Sequence, residues 1–169
     1  MDVSRLDAMP GEEARELLIA CCGAAAWVAA VLAARPFGSR DRLMAAADRA
    51  WTALTAEQLA EAIARHPRLG ESRAPAALGA RERAWSAGEQ SGAQAAEGST
   101  RAELARGNEE YERRFGHAFI LCATGLSGAE MLRALRERLG NDPERERAVT
   151  GRELHRITRL RLEKLLADD

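Results

Sequence analysis

Signals that start and stop helices recur along the whole chain, whereas the alternation of apolar and polar residues that is typical of a half-buried strand is nearly absent. Thr55, followed three residues later by Gln58, forms a capping box that marks the beginning of a helix. That helix must end before Pro67, because proline cannot continue a helix and restricts the residue before it. Ser127 and Glu130 repeat the same starting pattern further along the chain. The chain is therefore predicted to be all-α.

The predicted helices are bounded by prolines, glycines and capping residues. They lie at about 11–22, 24–34, 39–54, 55–66, 79–96, 100–106, 108–115, 127–140 and 143–166. Residues 67–78 contain two prolines and are expected to form a loop. The apolar run Ala118–Ala123 is too short for its periodicity to distinguish a buried strand from a buried helical segment. We expect one domain, residues 1–169, built as a bundle of roughly eight helices.

The composition favours the same fold class. Hydrophobic residues make up 46% of the chain, but aromatic residues only 4%. The core must therefore consist mainly of alanine, leucine and isoleucine, which favours close-packed helices over a β-sandwich. A length of 169 residues suits a single domain whose core needs no disulfides.

Charge and motif content exclude several classes of protein. A net charge of −1 gives no argument for binding nucleic acid or an anionic membrane surface, and no apolar run is long enough to span a bilayer. Three cysteines, with Cys21 and Cys22 adjacent, do not form a disulfide framework, and Cys122 is expected to be an inert buried thiol. The chain has no CxxC pair, no two histidines one helical turn apart and no phosphate-binding loop, so neither a metal nor a nucleotide is expected. The acidic N-terminus is unlike a signal peptide, which predicts a cytoplasmic protein.

His66 is a polar residue on an apolar helix face. Because a helix turns by about 100° per residue, His66 lies beside Leu59 and Ile63 in the predicted helix 55–66. At the end of that helix, the adjoining loop can leave the imidazole open for proton transfer. A core histidine or a C-terminal cap would explain the same placement.

Glu89 is a carboxylate among small and aromatic neighbours. In the predicted helix 79–96 it shares a stripe with Trp85, Gly92 and Ala96. Gly88 and Gly92 each lower helix propensity by about 1 kcal/mol relative to alanine, so we expect something to approach the backbone closely there. That neighbour is either another helix or a ligand.

Arg161 is directed along the centre of the apolar face of the last helix, between leucines and an isoleucine. A buried guanidinium needs a carboxylate or several carbonyls, since an unpaired buried charge is very costly. Its partner is Glu89, another acid of the chain in a purely structural ion pair, or an anionic substrate. By the same geometry Arg159 and His155 are expected to face solvent, and His117, at a helix end, to border a pocket.

A series of motifs spread over nearly the whole chain resembles the ureidoimidazoline decarboxylases of purine catabolism, the OHCU decarboxylase family. The order and spacing of these motifs together make the resemblance specific, whereas any one of them alone is weak. They are Trp27, Arg35-Pro36-Phe37, His66-Pro67-x-Leu69-Gly70, Ser86-x-x-Glu89-Gln90, Asn108-x-x-Tyr111-x-x-x-Phe115-Gly116, the Phe119–Ala123 run, Arg138-Leu139-x-Asn141 and Ile157-x-x-Leu160-Arg161-Leu162.

The resemblance implies an all-α fold, a homodimer and a reaction without a cofactor. The family converts 2-oxo-4-hydroxy-4-carboxy-5-ureidoimidazoline (OHCU), a product of urate oxidation, into (S)-allantoin and carbon dioxide. The resemblance implies that His66 and Glu89 are catalytic and that the substrate is the small-molecule partner. The residues that it implies to contact the substrate are Pro67, Ser86, Gln90, Phe119, Ile120, Leu121, Cys122, Ala123 and Arg161.

The chain departs from the family's usual residues at a few positions. Arg68 and Glu71 stand where many members have an acidic and a small residue, and His117-Ala118 replaces an apolar-proline pair. These positions border the expected pocket and bear on substrate affinity. A non-catalytic helical interaction module, or an enzyme acting on a different ureido or pterin-like ring, are the alternative functions. The C-terminal residues 166–169 lack a peroxisomal signal, in line with a bacterial-type cytoplasmic enzyme.

Overall fold

The protein is all-α, as predicted, in a computed structural model that describes residues 1–70 and 79–167. These residues contain no strand and form ten helices, eight of which have seven or more residues. The helices are α1 (Val3–Ala8), α2 (Gly11–Cys21), α3 (Ala25–Ala33), α4 (Arg40–Thr52), α5 (Ala56–Ala64), α6 (Ala80–Glu89), α7 (Ser91–Gln94), α8 (Gly98–Phe115), α9 (Gly128–Leu139) and α10 (Pro143–Ala167). No helix in the described parts of the chain is both long and apolar enough to cross a membrane.

The chain divides into two compact units. One unit consists of Met1–Ala62 and His155–Asp169, and the other of Ile63–Leu154. Helices α5 and α10 each begin in one unit and end in the other. The organisation of residues 1–169 as a single domain stays a prediction.

In the first unit, α3 packs against both α2 and α4 around a core of small and branched side chains. Trp27 of α3 is fully buried, and its indole nitrogen donates a hydrogen bond to the carbonyl of Ala47 in α4 at 3.0 Å. A buried indole N–H needs such a partner, so this bond fixes how α3 faces α4. The C-terminal half of α10 adds Leu162 and Leu165 to the buried residues of this unit.

In the second unit, α8 packs along α9. The sequence predicted two helices at 100–106 and 108–115, but α8 runs unbroken from Gly98 to Phe115. Gly107 lies where α9 comes closest, since a Cβ at this position would be 2.6 Å from a methyl carbon of Leu135. The glycine therefore allows close packing of two helices and does not end a helix, and no new helix begins at Asn108.

Most predicted helix ends agree with the structure to within about two residues. The Thr55–Gln58 capping box is present, with each side chain bonded to the other residue's backbone N–H at 3.0–3.3 Å. Ser127 and Glu130 form the second capping box, at the start of α9. The sequence missed the six-residue α1, which is capped by Asp2 and buries only Leu6. A helix with a single buried residue has no repeating apolar pattern by which the sequence could reveal it.

Two further predictions are corrected. The predicted helix 79–96 is broken at Gln90 into α6 and α7, so the proposed stripe of Trp85, Glu89, Gly92 and Ala96 does not exist. The run Ala118–Ala123 is neither strand nor helix. Instead, side chains from α9 and α10 form hydrogen bonds with its backbone.

Candidate active site

The segment His66–Gly70 follows the end of α5 at Ala64. The backbone N–H of His66 donates to the carbonyl of Ile63 at 3.0 Å, which closes the last turn before proline stops the helix. Pro67 and Leu69 are buried, while His66 is half-buried. Gly70 has φ of +82°, in the left-handed region that favours glycine, so the chain turns sharply there. His66 therefore lies at a helix end with part of the residue exposed, although the Nε2 atom of its imidazole is buried.

Helix α6 has a polar buried face. Glu82, Ser86 and Glu89 recur at the helical spacing and are only 3%, 5% and 7% exposed. Trp85, which was expected on this face, is half-buried, and the guanidinium of Arg81 lies over its ring. A helix normally buries its apolar side. Two carboxylates and a hydroxyl on the inner face are typical of a site rather than of a core.

Two polar contacts join the His66 segment to α6 and α7. Arg65 Nη2 lies 3.3 Å from the carboxylate of Glu82, and the backbone N–H of Gly70 donates to Gln90 Oε1 at 2.8 Å. In the sequence, Arg65 and Glu82 come before His66 and Glu89, and Gly70 and Gln90 come after them. The two residues predicted to be catalytic are thus bracketed by contacts that hold their segments together.

An apolar cluster brings together the His66–Gly70 segment, α7 and the run that follows α8. Leu69 from the first segment, Ala93 from α7, and Phe119 and Ala123 from the run after α8 are buried in it together. Because Gly92 has no side chain, α7 can approach the backbone at Leu126 closely. A Cβ at Gly92 would lie 1.9 Å from the carbonyl oxygen of Leu126. The neighbour predicted at Gly92 is thus a backbone. A Cβ added at Gly88 would meet no atom within 4 Å among residues 1–70 and 79–167, so no neighbour approaches this glycine in the described part of the chain.

The backbone of the Phe119–Ala123 run is held by two charged side chains. Arg138 of α9 donates to the carbonyl of Ile120 at 2.5 Å, and its guanidinium lies 4.5 Å from the centre of the Phe119 ring. Glu153 of α10 accepts the backbone N–H of Cys122 at 2.9 Å. Cys122 itself is half-buried, not buried as expected. This irregular segment is fixed without belonging to a helix or strand.

Arg138 belongs to a buried polar network that sequence analysis missed. Its guanidinium binds the carboxylate of Glu146 with an Nε–Oε1 distance of 2.7 Å and the hydroxyl of Thr150 at 3.0 Å. Tyr111 and Asn141 also donate to Glu146. A signal was available: Arg138 continues the apolar stripe of Met131 and Leu135 on α9, as Arg161 does on α10.

The network has clear electrostatic consequences. Burial disfavours ionisation of Glu146, but hydrogen bonds from Arg138, Tyr111 and Asn141 outweigh it and lower the pKa of this carboxyl. Burial, with the Glu146 carboxylate second, raises the pKa of the Tyr111 phenol well above its usual value. Both groups therefore keep fixed protonation states near neutral pH and act as structural partners.

The residues that depart from the family pattern have partners of their own. The guanidinium of Arg68 is paired with Glu112 of α8. His117 Nδ1 lies 2.9 Å from the carbonyl oxygen of Ala118, and its ring meets the Tyr111 ring edge-on. Glu71 lies outside the described residues.

Asn108 of α8 is bonded to the His66–Gly70 segment. Its Nδ2 donates to the carbonyl of Leu69 at 2.8 Å, and the residue is 4% exposed. A cavity of about 120 Å³ lies beside it, between Arg68–Gly70 and α8. The sequence has no signal for this role, because the partner is a backbone carbonyl 39 positions away.

Arg161 is buried, as predicted, and lies in the first unit, whereas all other predicted site residues lie in the second. Its Nη1 donates to the carbonyl of Ala20 at 3.2 Å. His155 and Arg159, which were expected to face solvent, are half-buried. Both contact the Asp48 carboxylate, and the His155 ring stacks on Trp51 with centroids 4.9 Å apart.

No group of three or more histidine, cysteine, aspartate or glutamate side chains within residues 1–70 and 79–167 is arranged to hold a metal ion.

The chain is similar in sequence to known proteins. The chain is 35% identical over 149 residues to the uric acid degradation bifunctional protein TTL of Arabidopsis thaliana, covering 88% of the chain and 46% of that protein. It is 40% identical over 65 residues to the 2-oxo-4-hydroxy-4-carboxy-5-ureidoimidazoline decarboxylase of Amia calva, covering 38% of the chain and 37% of that protein. The chain thus spans less than half the length of these two relatives.

Solved structures show the same fold. A crystal structure of an OHCU decarboxylase in the presence of (S)-allantoin superposes with a TM-score of 0.77 at 28% identity, covering 90% of this chain and 99% of the other. An (S)-allantoin synthase has a TM-score of 0.70 at 21% identity, covering 97% and 54%, and supports the fold alone. A family model described as OHCU decarboxylase matches residues 7–163. Since this match spans nearly the whole sequence, the chain belongs to the OHCU decarboxylase family.

Proposed function

We propose that the protein is a carboxy-lyase that converts OHCU into (S)-allantoin and carbon dioxide during urate degradation. The observation that carries the proposal is the polar buried face of α6, which is joined on both sides of Glu89 to the segment that contains His66. Membership of the family, and similarity to a structure determined with (S)-allantoin, support the choice of substrate and product.

The chemistry suits these side chains. When the bond to the carboxylate carbon breaks, the electron pair moves toward the adjacent C=N of the ring. The nitrogen of that C=N takes a proton as it receives the pair. The 4-hydroxyl then loses its proton as a carbonyl forms, and a further proton adds to one face of the former C=N carbon, which becomes the S centre. His66 serves as acid and base near neutral pH, and Glu89 holds the substrate and positions or transfers a proton. In this proposal the ring itself accepts the electrons, and no cofactor is needed.

The remaining predicted residues provide the substrate surface in this proposal. Gln90, already bonded to Gly70, and Ser86 lie on either side of Glu89 along α6 and its end. Pro67 and the Phe119–Ala123 run provide apolar contacts. Arg161 binds an oxygen group of the substrate through paired hydrogen bonds. We further propose that the protein is a cytoplasmic homodimer.

The test is to generate OHCU in situ from urate and follow chiral allantoin by circular dichroism. The wild type is expected to accelerate formation of the S enantiomer over the spontaneous rate. His66→Ala and Glu89→Ala are expected to lose about 100-fold or more of that acceleration, since positioned acid–base groups contribute that much. Glu110→Ala, which removes an exposed carboxylate of α8, serves as the matched control.

Each alternative function has its own signature in this test. A wild-type rate equal to the spontaneous one would reject the decarboxylase. The remaining functions would then be a helical interaction module or an enzyme for another ureido or pterin-like ring. Wild-type turnover with full activity in both site variants would retain the reaction and overturn the assignment of His66 and Glu89.

A further inference from the structure

Two side chains of α8 bind consecutive residues of the His66–Gly70 segment. The carboxylate of Glu112 accepts two hydrogen bonds from the guanidinium of Arg68, one of them with an Nε–Oε1 distance of 2.5 Å. Asn108 donates to the carbonyl of Leu69 at 2.8 Å. Because Asn108 and Glu112 are four residues apart, they lie on the same face of α8. The segment is therefore held at two adjacent residues by one helix face.

These contacts lie where the packing between the segment and α8 is incomplete. Within residues 1–70 and 79–167, a cavity of about 120 Å³ is lined by Leu69 and Gly70 of the segment and by Leu104 and Asn108 of α8. Side chains that face a cavity lose van der Waals contacts on that side. Apolar packing therefore leaves the segment room to move, and the polar contacts with α8 set its distance from the helix. The two parallel bonds to Arg68 fix orientation as well as distance.

Pro67 connects these contacts to His66. The proline ring fixes its own φ near −65° and restricts the backbone of the residue before it. Few backbone torsions between His66 and Arg68 are therefore free to absorb a displacement. A shift at Arg68 is expected to move the imidazole of His66 as well.

We propose that Glu112 is a positioning residue for His66, which it holds in place through its ion pair with Arg68. This inference rests on the proposed function, in which His66 transfers protons. Misplacing a reacting group by about 1 Å can cost about 100-fold in rate, so a contact two residues away is close enough to matter. Arg65 and Gly70 join the segment to Glu82 of α6 and to Gln90. The pair with Glu112 joins it to a second helix.

Glu112→Ala tests this role. The side chains of Arg68 and Glu112 are 41% and 25% exposed, and ion pairs this exposed contribute little to stability, so the variant is expected to fold. Its kcat for OHCU is expected to fall about tenfold, with KM changed less than about twofold, because a proton-transfer group is displaced and no substrate contact is removed. Glu103→Ala is the matched control, since it removes another ion pair of α8, the one with Arg136 of α9.

Reversing the pair gives a rescue experiment. Arg68→Glu alone places two carboxylates together and is expected to lower kcat at least as much as Glu112→Ala does. Combining Arg68→Glu with Glu112→Arg restores an ion pair and is expected to return kcat to within about threefold of the wild-type value. A double variant as slow as Arg68→Glu alone would contradict a role for the pair.

A second measurement does not depend on turnover. In ¹⁵N-labelled protein, Glu112→Ala is expected to shift the imidazole resonances of His66, and Glu103→Ala to leave them unchanged. Unchanged His66 resonances in Glu112→Ala, or unchanged kcat where the wild type turns over OHCU, would overturn the inference. If the resonances shift as expected but the wild type does not accelerate OHCU breakdown, the proposed reaction fails and the positioning of His66 by Glu112 stands.

Discussion

Gln90 Oε1 accepts a hydrogen bond from the backbone N–H of Gly70 at 2.8 Å. The bond joins the residue after Glu89 to the turn that ends the His66 segment, across 20 positions of sequence. The side chain that was predicted to contact substrate is therefore also part of the frame.

Replacing Gln90 by alanine is expected to lower kcat/KM about tenfold or more, because the two segments lose a bond that sets their spacing. The unfolding free energy is expected to fall by only about 1 kcal/mol, the net value of one hydrogen bond. Steady-state kinetics and urea unfolding measure the two effects separately. Gln94→Ala removes an exposed amide from the adjacent α7 and should change neither. Equal kinetics in the two variants would show that the bond does not shape the site.

Gly92→Ala is expected to destabilise the protein by about 1–3 kcal/mol or more, because the new methyl group meets the Leu126 carbonyl and a backbone cannot move aside easily. Gly88→Ala is the matched control in α6. A Cβ at this position meets no atom within 4 Å in the described part of the chain, and the substitution is expected to stabilise the protein by about 0.5–1 kcal/mol through helix propensity. Thermal unfolding of the two variants measures the difference. A Gly92→Ala protein as stable as the wild type would contradict the packing of α7 on this loop.

Glu146 is expected to make stability fall in acid. Its folded-state pKa lies below the ordinary value of 4.5, so its contribution is complete above that pH and is lost as the pH falls toward the folded pKa. Glu146→Gln should lower stability by about 3 kcal/mol at pH 7, since it leaves Arg138 without its counter-charge. Urea midpoints between neutral pH and pH 3 should then depend less on pH than in wild type. An unchanged pH dependence would rule out this carboxyl as its source.

The three thiols are expected to differ in reactivity. Cys21 and Cys22 are buried, and burial raises the pKa of Cys22 to about 11, so little reactive thiolate forms. Cys122 is half-buried. Brief iodoacetamide treatment of the folded protein at pH 8, followed by peptide mass spectrometry, should find Cys122 alkylated first. In guanidinium chloride all three should react. Early labelling of Cys22 in the folded protein would contradict its burial.

Local signals predicted the fold well. Capping boxes and prolines act within a few residues, so the ends of α4, α5, α9 and α10 could be assigned from the sequence. The same local reasoning failed at Gly107, where the absence of a side chain makes room for Leu135 of α9. It also failed at Gln90, where α6 ends without proline to mark the break. These features depend on residues far away in sequence.

The candidate site was predicted in part, by polar residues on apolar faces. This criterion found Glu89 and Arg161, which are both buried, and His66, which is half-buried. It would also have found Arg138, had the α9 stripe been examined in the same way. Glu153 and Asn108 could not be identified from the sequence, since their partners are backbone atoms of distant residues. Backbone acceptors and donors leave no pattern in the sequence.

The inner face of α6 has a consequence for protein engineering. Glu82, Ser86 and Glu89 contribute little hydrophobic stabilisation at positions where a leucine or alanine would normally lie. Stabilising substitutions are therefore easiest to find in this helix, and they are also the ones that remove its polar groups. A selection for thermal stability alone would be expected to replace these residues first, producing a more stable protein without the proposed catalytic carboxylate of Glu89.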